Sequence, residues 1–203
     1  MEFLSTFIGL AVTFGVFFVS LSVHEFAHAF ASYKLGDPTA KLEGRMTLNP
    51  LAHIDPLGTV IVPIFLSISG LPAFGWAKPV HVNLANFQKP PRDNFFTALS
   101  GPLANFILAF ICAFLLSVFP QSEILGMFVV INVVLAVFNL LPIPPLDGSK
   151  IWHLFLSDES YFALERLGPV ILITVLFFLS YFDNYLFGLI TTITNAIINV
   201  FQF

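Results

Sequence analysis

Apolar stretches too long for an ordinary soluble core helix alternate with short polar ones along this chain. Residues 3–33 are apolar apart from scattered Ser and Thr and one cluster near the end, His24, Glu25 and His28. Two more stretches, 94–119 and 124–141, are separated only by a short polar turn, and a fourth covers 168–190. A helix crossing a bilayer needs about 20 predominantly apolar residues, so the pattern predicts four spans. The tight turn makes the second and third antiparallel neighbours.

The remaining pattern is less regular. The apolar stretch 57–72 is short for a crossing and is broken by Pro63 and Gly70, so a re-entrant or interfacial segment is expected. Beyond it, the alternation around Pro79-Val80-His81-Val82 predicts a strand or small β-hairpin over about 74–83. Pro142, Pro144 and Pro145 close the third span. A polar segment of short helical character follows at 149–167, and the tail 191–203 reads as a short membrane-associated helix. The expected fold class is therefore an all-α polytopic membrane protein, a single domain over 1–203, with a small membrane-associated β-hairpin and a re-entrant segment.

Composition supports this class. The chain is 57% hydrophobic and 10% charged, against about 25% charged in soluble domains. The partner implied is the lipid bilayer. No basic stripe suggests nucleic acid, and the single cysteine, Cys112, allows no internal disulfide. The first apolar stretch lacks a preceding Lys or Arg and outruns a signal peptide, so it reads as a retained helix. All eight Lys and Arg fall within 34–45, 78–92 or 150–166. The positive-inside rule makes these loops cytoplasmic, and with two consecutive loops on one side, 57–72 does not cross.

Against that background the cluster at 24–28 changes the picture. An ionisable group at the centre of a membrane helix costs about 2.5–3.5 kcal/mol on insertion scales, so three together demand mutual satisfaction. They form H-E-x-x-H. Residues four apart share a helix face, so His24 and His28 can bind one metal ion, and Glu25 can serve as general base toward its water. Zinc lowers the pKa of a bound water to about 7. A third ligand is required, and Asp147 is the candidate. It follows an out-to-in span, as the histidines end another, so both arrive at the same depth and side. Asn139, near the end of that same span, is open to two readings: an amide clamp on an extended peptide, or a helix-to-helix hydrogen bond. His53 and Asp55 fit turn chemistry, with a place around the metal cavity as the other reading.

HEFAH together with NLLPIPPLDG resembles the site-2 protease family of intramembrane zinc metalloproteases. GDPTAKLEGRMTLNPLAHIDPLG, FGWAKPVHV and GPLAN are similar to its short bacterial branch, which lacks PDZ and CBS domains. The resemblance implies a three-helix catalytic core with one Zn²⁺ per chain held by His24, His28 and Asp147. It implies Glu25 as general base, Asn139 against the substrate backbone, and Asn105 in the signature of the middle core helix. The implied activity is intramembrane endopeptidase cleavage in or near a transmembrane segment, in regulated proteolysis or membrane-peptide clearance. The implied location is a bacterial inner (plasma) membrane, with the active site toward the cytoplasm. The rival readings are a membrane zinc transporter and a catalytically silent scaffold. A transporter would want ligands along a path and repeated halves, and neither is visible.

Overall fold

The computed structural model describes residues 2–62, 65, 68, 78–179 and 183–201. Among them all regular structure is helical. The α-helices are α1 (Glu2–Lys34), α2 (Thr39–Leu42), α3 (Pro90–Val118), α4 (Glu123–Asn139), α5 (Asp158–Arg166), α6 (Gly168–Leu179) and α7 (Asp183–Asn199). Short 3₁₀ turns occupy Pro50–His53 and Leu84–Asn86, a longer 3₁₀ helix runs Asp147–Leu154, and Pro56–Ile61 forms a π-helical turn.

Local chemistry sets the helix ends. Pro90 and Pro91 open α3, where the missing N–H groups would have no helical partner. Asp93 reaches back to accept from the Lys89 N–H at 2.9 Å. Ser122 caps α4. At the far end of α4 the prolines divert the chain, which then doubles back over the helix terminus. Gly148 lies so close to the Leu140 carbonyl that any side chain there would collide with it.

Helices α1, α3 and α4 pack together, with α7 against α3 and α4. Ala109, Cys112 and Ala113 of α3 meet Val129, Val133 and Val137 of α4 and Ile190 and Ile197 of α7. Small side chains let membrane helices approach closely without a hydrophobic driving force. Burial is inverted relative to a soluble domain. Phe7, Phe14, Ile107, Phe110, Ile111 and Phe114 are exposed, while Ser20, Ser22, Asn105 and Asn132 are buried. Such an apolar exterior over a polar interior suits lipid as the solvent. Among the described residues two helices, α1 and α3, are long and apolar enough to cross a membrane, whereas α4 is shorter at 17 residues.

Two expectations change. The β-hairpin is not found: among the described residues there is no strand, and 74–77 lie outside them. Residues 78–83 bond elsewhere than to a partner strand. The N–H groups of Lys78, Val80 and Asn83 go to the His53 carbonyl, the Glu25 carboxylate and the Asp37 carboxylate. The re-entrant segment gains no support either. Pro56–Ile61 is a π-helical turn, the described residues Val62, Phe65 and Ile68 are helical, and the rest of 63–72 lies outside the described residues. Of the fourth span, expected at 168–190, the described residues are helical, in α6 as far as Leu179 and in α7 from Asp183. Residues 180–182 lie outside the described residues.

Candidate metal centre

Helix α1 places His24 and His28 one turn apart on the face toward α3, both buried. Their rings stand nearly perpendicular, at 87°, with centroids 4.6 Å apart. The 3₁₀ helix that starts at Asp147 brings its carboxylate to the same point. His24 Nε2 and His28 Nε2 are 3.0 Å apart, and Asp147 Oδ2 lies 3.1 and 3.2 Å from them. Among the described residues this is the group of three that could hold a metal ion.

Asp147 is fixed from behind. Ser149 Oγ lies 2.6 Å from the Leu146 carbonyl and 3.0 Å from Glu165 Oε1, and Lys150 Nζ pairs with Glu165 Oε2 at 2.5 Å. These contacts tie the start of the 3₁₀ helix to α5. Trp152 Nε1 donates to the Pro142 carbonyl at 2.8 Å, bracing the proline turn.

The far sides of the imidazoles decide what faces the centre. His28 Nδ1 is 2.8 Å from the Thr97 carbonyl, and His24 Nδ1 is 2.6 Å from Asn105 Oδ1. Both partners are acceptors, so each Nδ1 carries a ring proton and each Nε2 is the nitrogen left to present a lone pair to a metal. Asp147 Oδ2 is buried with no hydrogen-bond partner. Three atoms able to act as metal ligands therefore converge on one point, an arrangement that is costly unless a proton or a cation sits among them. A tetrahedral zinc ion spaces its ligand atoms about 3.3 Å apart, a few tenths of an ångström more than the triangle here. Two imidazoles and a carboxylate, with one position left open, match a catalytic zinc donor set. The residues fit the metal. Gly101 makes room for them, since a Cβ there would fall 2.6 Å from His28 Cε1 and 2.7 Å from His24 Cε1.

Comparison with known proteins agrees with this geometry. The pattern of Peptidase family M50 matches residues 12–122 and 118–182. The chain belongs to peptidase family M50. This is the site-2 protease family, whose members are integral to membranes. YwhC of Bacillus subtilis, named as a zinc metalloprotease, is 41% identical over 66% of this chain and 64% of its own length. Rip2 of Mycolicibacterium smegmatis, similarly named, is 31% identical over 78% of this chain and 63% of its own. MJ0611 of Methanocaldococcus jannaschii, again named as a zinc metalloprotease, is 44% identical over 32% of this chain and 38% of its own. The chain thus spans somewhat under two thirds of the first two relatives. No solved structure matches it.

Within this M50 chain, Glu25 lies beside the triangle, buried, and its Oε2 accepts from the Val80 N–H at 3.2 Å. The triangle opens onto a cavity of about 820 Å³. Phe17, Leu21, Leu135 and Phe138 form apolar wall, and Asn94, Lys150 and Glu165 form polar wall. Burial pushes the Tyr161 hydroxyl, also on this wall, up from its ordinary value. Asn139 lines the cavity too, with its Nδ2 donating to the Leu135 carbonyl at 3.0 Å.

His53 and Asp55 do not line that cavity. His53 is buried with Nε2 2.9 Å from the Thr47 carbonyl, and Asp55 caps the π-helical turn by accepting from the Leu57 and Gly58 N–H groups. Asn105 does reach a candidate ligand, His24.

Several site residues were not singled out from sequence. The Thr97 carbonyl and the Val80 N–H are backbone groups and leave no side-chain signature. Asp37 is fully buried and holds the wall segment by accepting from the Asn83 N–H at 2.8 Å and Asn86 Nδ2 at 2.7 Å. Burial alone would raise its carboxyl, but hydrogen bonds from Thr39, Asn86 and Asn83 outweigh that and hold it below its ordinary value. Asn132, in mid-span, had a readable signal: a polar side chain inside a membrane helix calls for a partner.

Proposed function

We propose that this protein is an intramembrane zinc endopeptidase, cutting a peptide bond in or near a membrane-spanning segment of another protein. The observation that carries the reading is the buried triangle of His24 Nε2, His28 Nε2 and Asp147 Oδ2 with Glu25 beside it, on the wall of a cavity large enough for a peptide. A zinc ion held there would supply a Lewis acid and a water made acidic enough to attack a carbonyl near neutral pH.

The chain's own residues would do the rest. Glu25, with Oε2 held by the Val80 N–H, takes the water's proton on its other oxygen and passes it to the leaving nitrogen. The apolar wall accepts membrane-segment side chains and keeps bulk water away. Asn139, one of whose amide hydrogens is satisfied by Leu135, retains an amide N–H and a carbonyl for an extended substrate backbone. A helical substrate has its carbonyls engaged internally, so it must unwind locally before it can be cut.

In the topology we favour, the loops holding 34–45, 78–92 and 150–166 are cytoplasmic and the site opens toward that side of a bacterial plasma membrane. The test is cleavage of a membrane-spanning substrate co-reconstituted with the wild type or with Glu25→Gln. Wild type should cleave and Glu25→Gln should not, with equal zinc in both. Equal cleavage by the two would refute the role of Glu25.

A further inference from the structure

We infer that Asn132, on α4 and out of contact with the ligand triangle, is a positioning residue that sets which ring nitrogen of His24 faces the metal. The two histidines are oriented by different kinds of partner. His28 Nδ1 faces a backbone carbonyl, that of Thr97, which can only accept. His24 Nδ1 faces the side-chain amide of Asn105. An amide can present either its oxygen or its NH₂. If the NH₂ faced His24, Nδ1 would have to accept, the proton would move to Nε2, and no lone pair would point at the metal.

The orientation of Asn105 is settled by a chain of hydrogen bonds that ends on backbone. Asn132 Nδ2 donates to the Phe128 carbonyl at 2.8 Å and to Ser20 Oγ at 2.8 Å, using both of its hydrogens. The Phe128 carbonyl accepts only, so the Asn132 oxygen must lie on the opposite side. That oxygen accepts from Asn105 Nδ2 at 2.7 Å, and the second hydrogen of Asn105 goes to the Ser20 carbonyl at 3.2 Å. With both hydrogens committed, Asn105 can offer only its oxygen to His24. All three linking side chains, Ser20, Asn105 and Asn132, are fully buried, so water cannot replace a lost partner. Three helices thus contribute to one decision: α1 through His24 and Ser20, α3 through Asn105, and α4 through Asn132.

Asn132 supplies the shorter of the two bonds that hold the Asn105 amide. Without it, only the longer contact to the Ser20 carbonyl opposes a flip. Groups that orient metal ligands are worth about 10- to 100-fold in metal affinity. Asn132 stands one bond further out, so its loss should weaken zinc about tenfold.

The inference rests on the zinc reading of the site, and the test separates the two. Zinc affinity of the purified full chain is measured by chelator competition for wild type, Asn132→Leu, Asn132→Ser, Asn132→Asp and Val133→Ala, alongside melting of each metal-free protein. Val133 is a fully buried neighbour on α4 that belongs to the packing cluster and makes none of these hydrogen bonds. Asn132→Leu should bind zinc about tenfold more weakly than wild type, and so should Asn132→Ser, whose hydroxyl is too short to reach Asn105. Asn132→Asp, as a neutral acid, keeps a carbonyl oxygen for Asn105 and a hydroxyl for Phe128, and should return to within about threefold. Val133→Ala should melt lower and keep wild-type zinc affinity. Wild-type affinity in both Asn132→Leu and Asn132→Ser would overturn the inference, as would loss of affinity in Val133→Ala in step with its melting point. If Asn132→Leu does not fold, Asn132→Ser decides alone. Failure of the wild type to bind zinc would overturn the metal reading and this inference with it.

Discussion

Replacing Gly101 with alanine tests the metal centre through one methyl group. The added Cβ would fall 2.6 Å from His28 Cε1 and 2.7 Å from His24 Cε1. Ordinary carbon contacts are about 3.5–4.0 Å, so each ring must retreat by nearly 1 Å. Zinc tolerates about 0.2 Å in ligand distance, far less than that retreat. Overpacking of this kind costs about 1–3 kcal/mol, which at 1.4 kcal/mol per tenfold is about a 5- to 150-fold loss of zinc affinity. The backbone effect has the opposite sign. Alanine is favoured over glycine in a helix interior by about 1 kcal/mol, which offsets part of the cost of shifting the two rings when no metal is bound. The metal-free variant should therefore melt close to wild type while its zinc-induced rise in melting temperature shrinks. The assay is chelator competition for affinity, paired with melting with and without zinc. Wild-type zinc affinity in Gly101→Ala would mean that the imidazoles do not meet the metal where α3 passes them.

Other perturbations test separate parts. Asn139→Ala should keep zinc and slow cleavage of a membrane-spanning substrate by about 2- to 10-fold, the worth of about one net hydrogen bond; loss of zinc would place Asn139 in the support of the metal. The Asp37 carboxyl is held below its ordinary value of 3.8 in the folded protein, so its contribution to stability is complete above that value and is lost as pH falls through the lower, folded one. Melting followed from pH 6 downward should lose less stability in Asp37→Asn than in wild type, and parallel curves would remove Asp37 as an acid-sensitive tie. Cysteines introduced singly at 45, 85 and 150 in a Cys112→Ala background should all label from the cytoplasmic face and one at 122 from the opposite face. Opposite faces for 45 and 85 would mean that 57–72 crosses.

What could be read from the sequence depended on how local the determining chemistry was. The first two long spans follow from apolar length alone, and α1 and α3 coincide with them within a few residues. His24, Glu25 and His28 follow from one helical turn. Asp147 could be placed because matching two spans in direction brought it to the depth of the histidines, which is topology and not contact. The β-hairpin was misread because alternation records which side chains face which way. It does not record where N–H groups go, and here they go to His53, Glu25 and Asp37. Asn132 was not singled out from the sequence. Its significance lies in contacts 27 and 112 residues away, and no local window contains those.

The central claim is that His24, His28 and Asp147 together hold one zinc ion. Zinc-edge X-ray absorption on the purified chain, with metal content measured on the same sample, tests it most directly. The account predicts about one zinc per chain, bound by nitrogen and oxygen at about 2.0–2.2 Å with the signature of two imidazoles, and near-complete loss of metal in Asp147→Ala. A zinc-free wild type, a sulfur ligand at about 2.3 Å, or undiminished zinc in Asp147→Ala would contradict it.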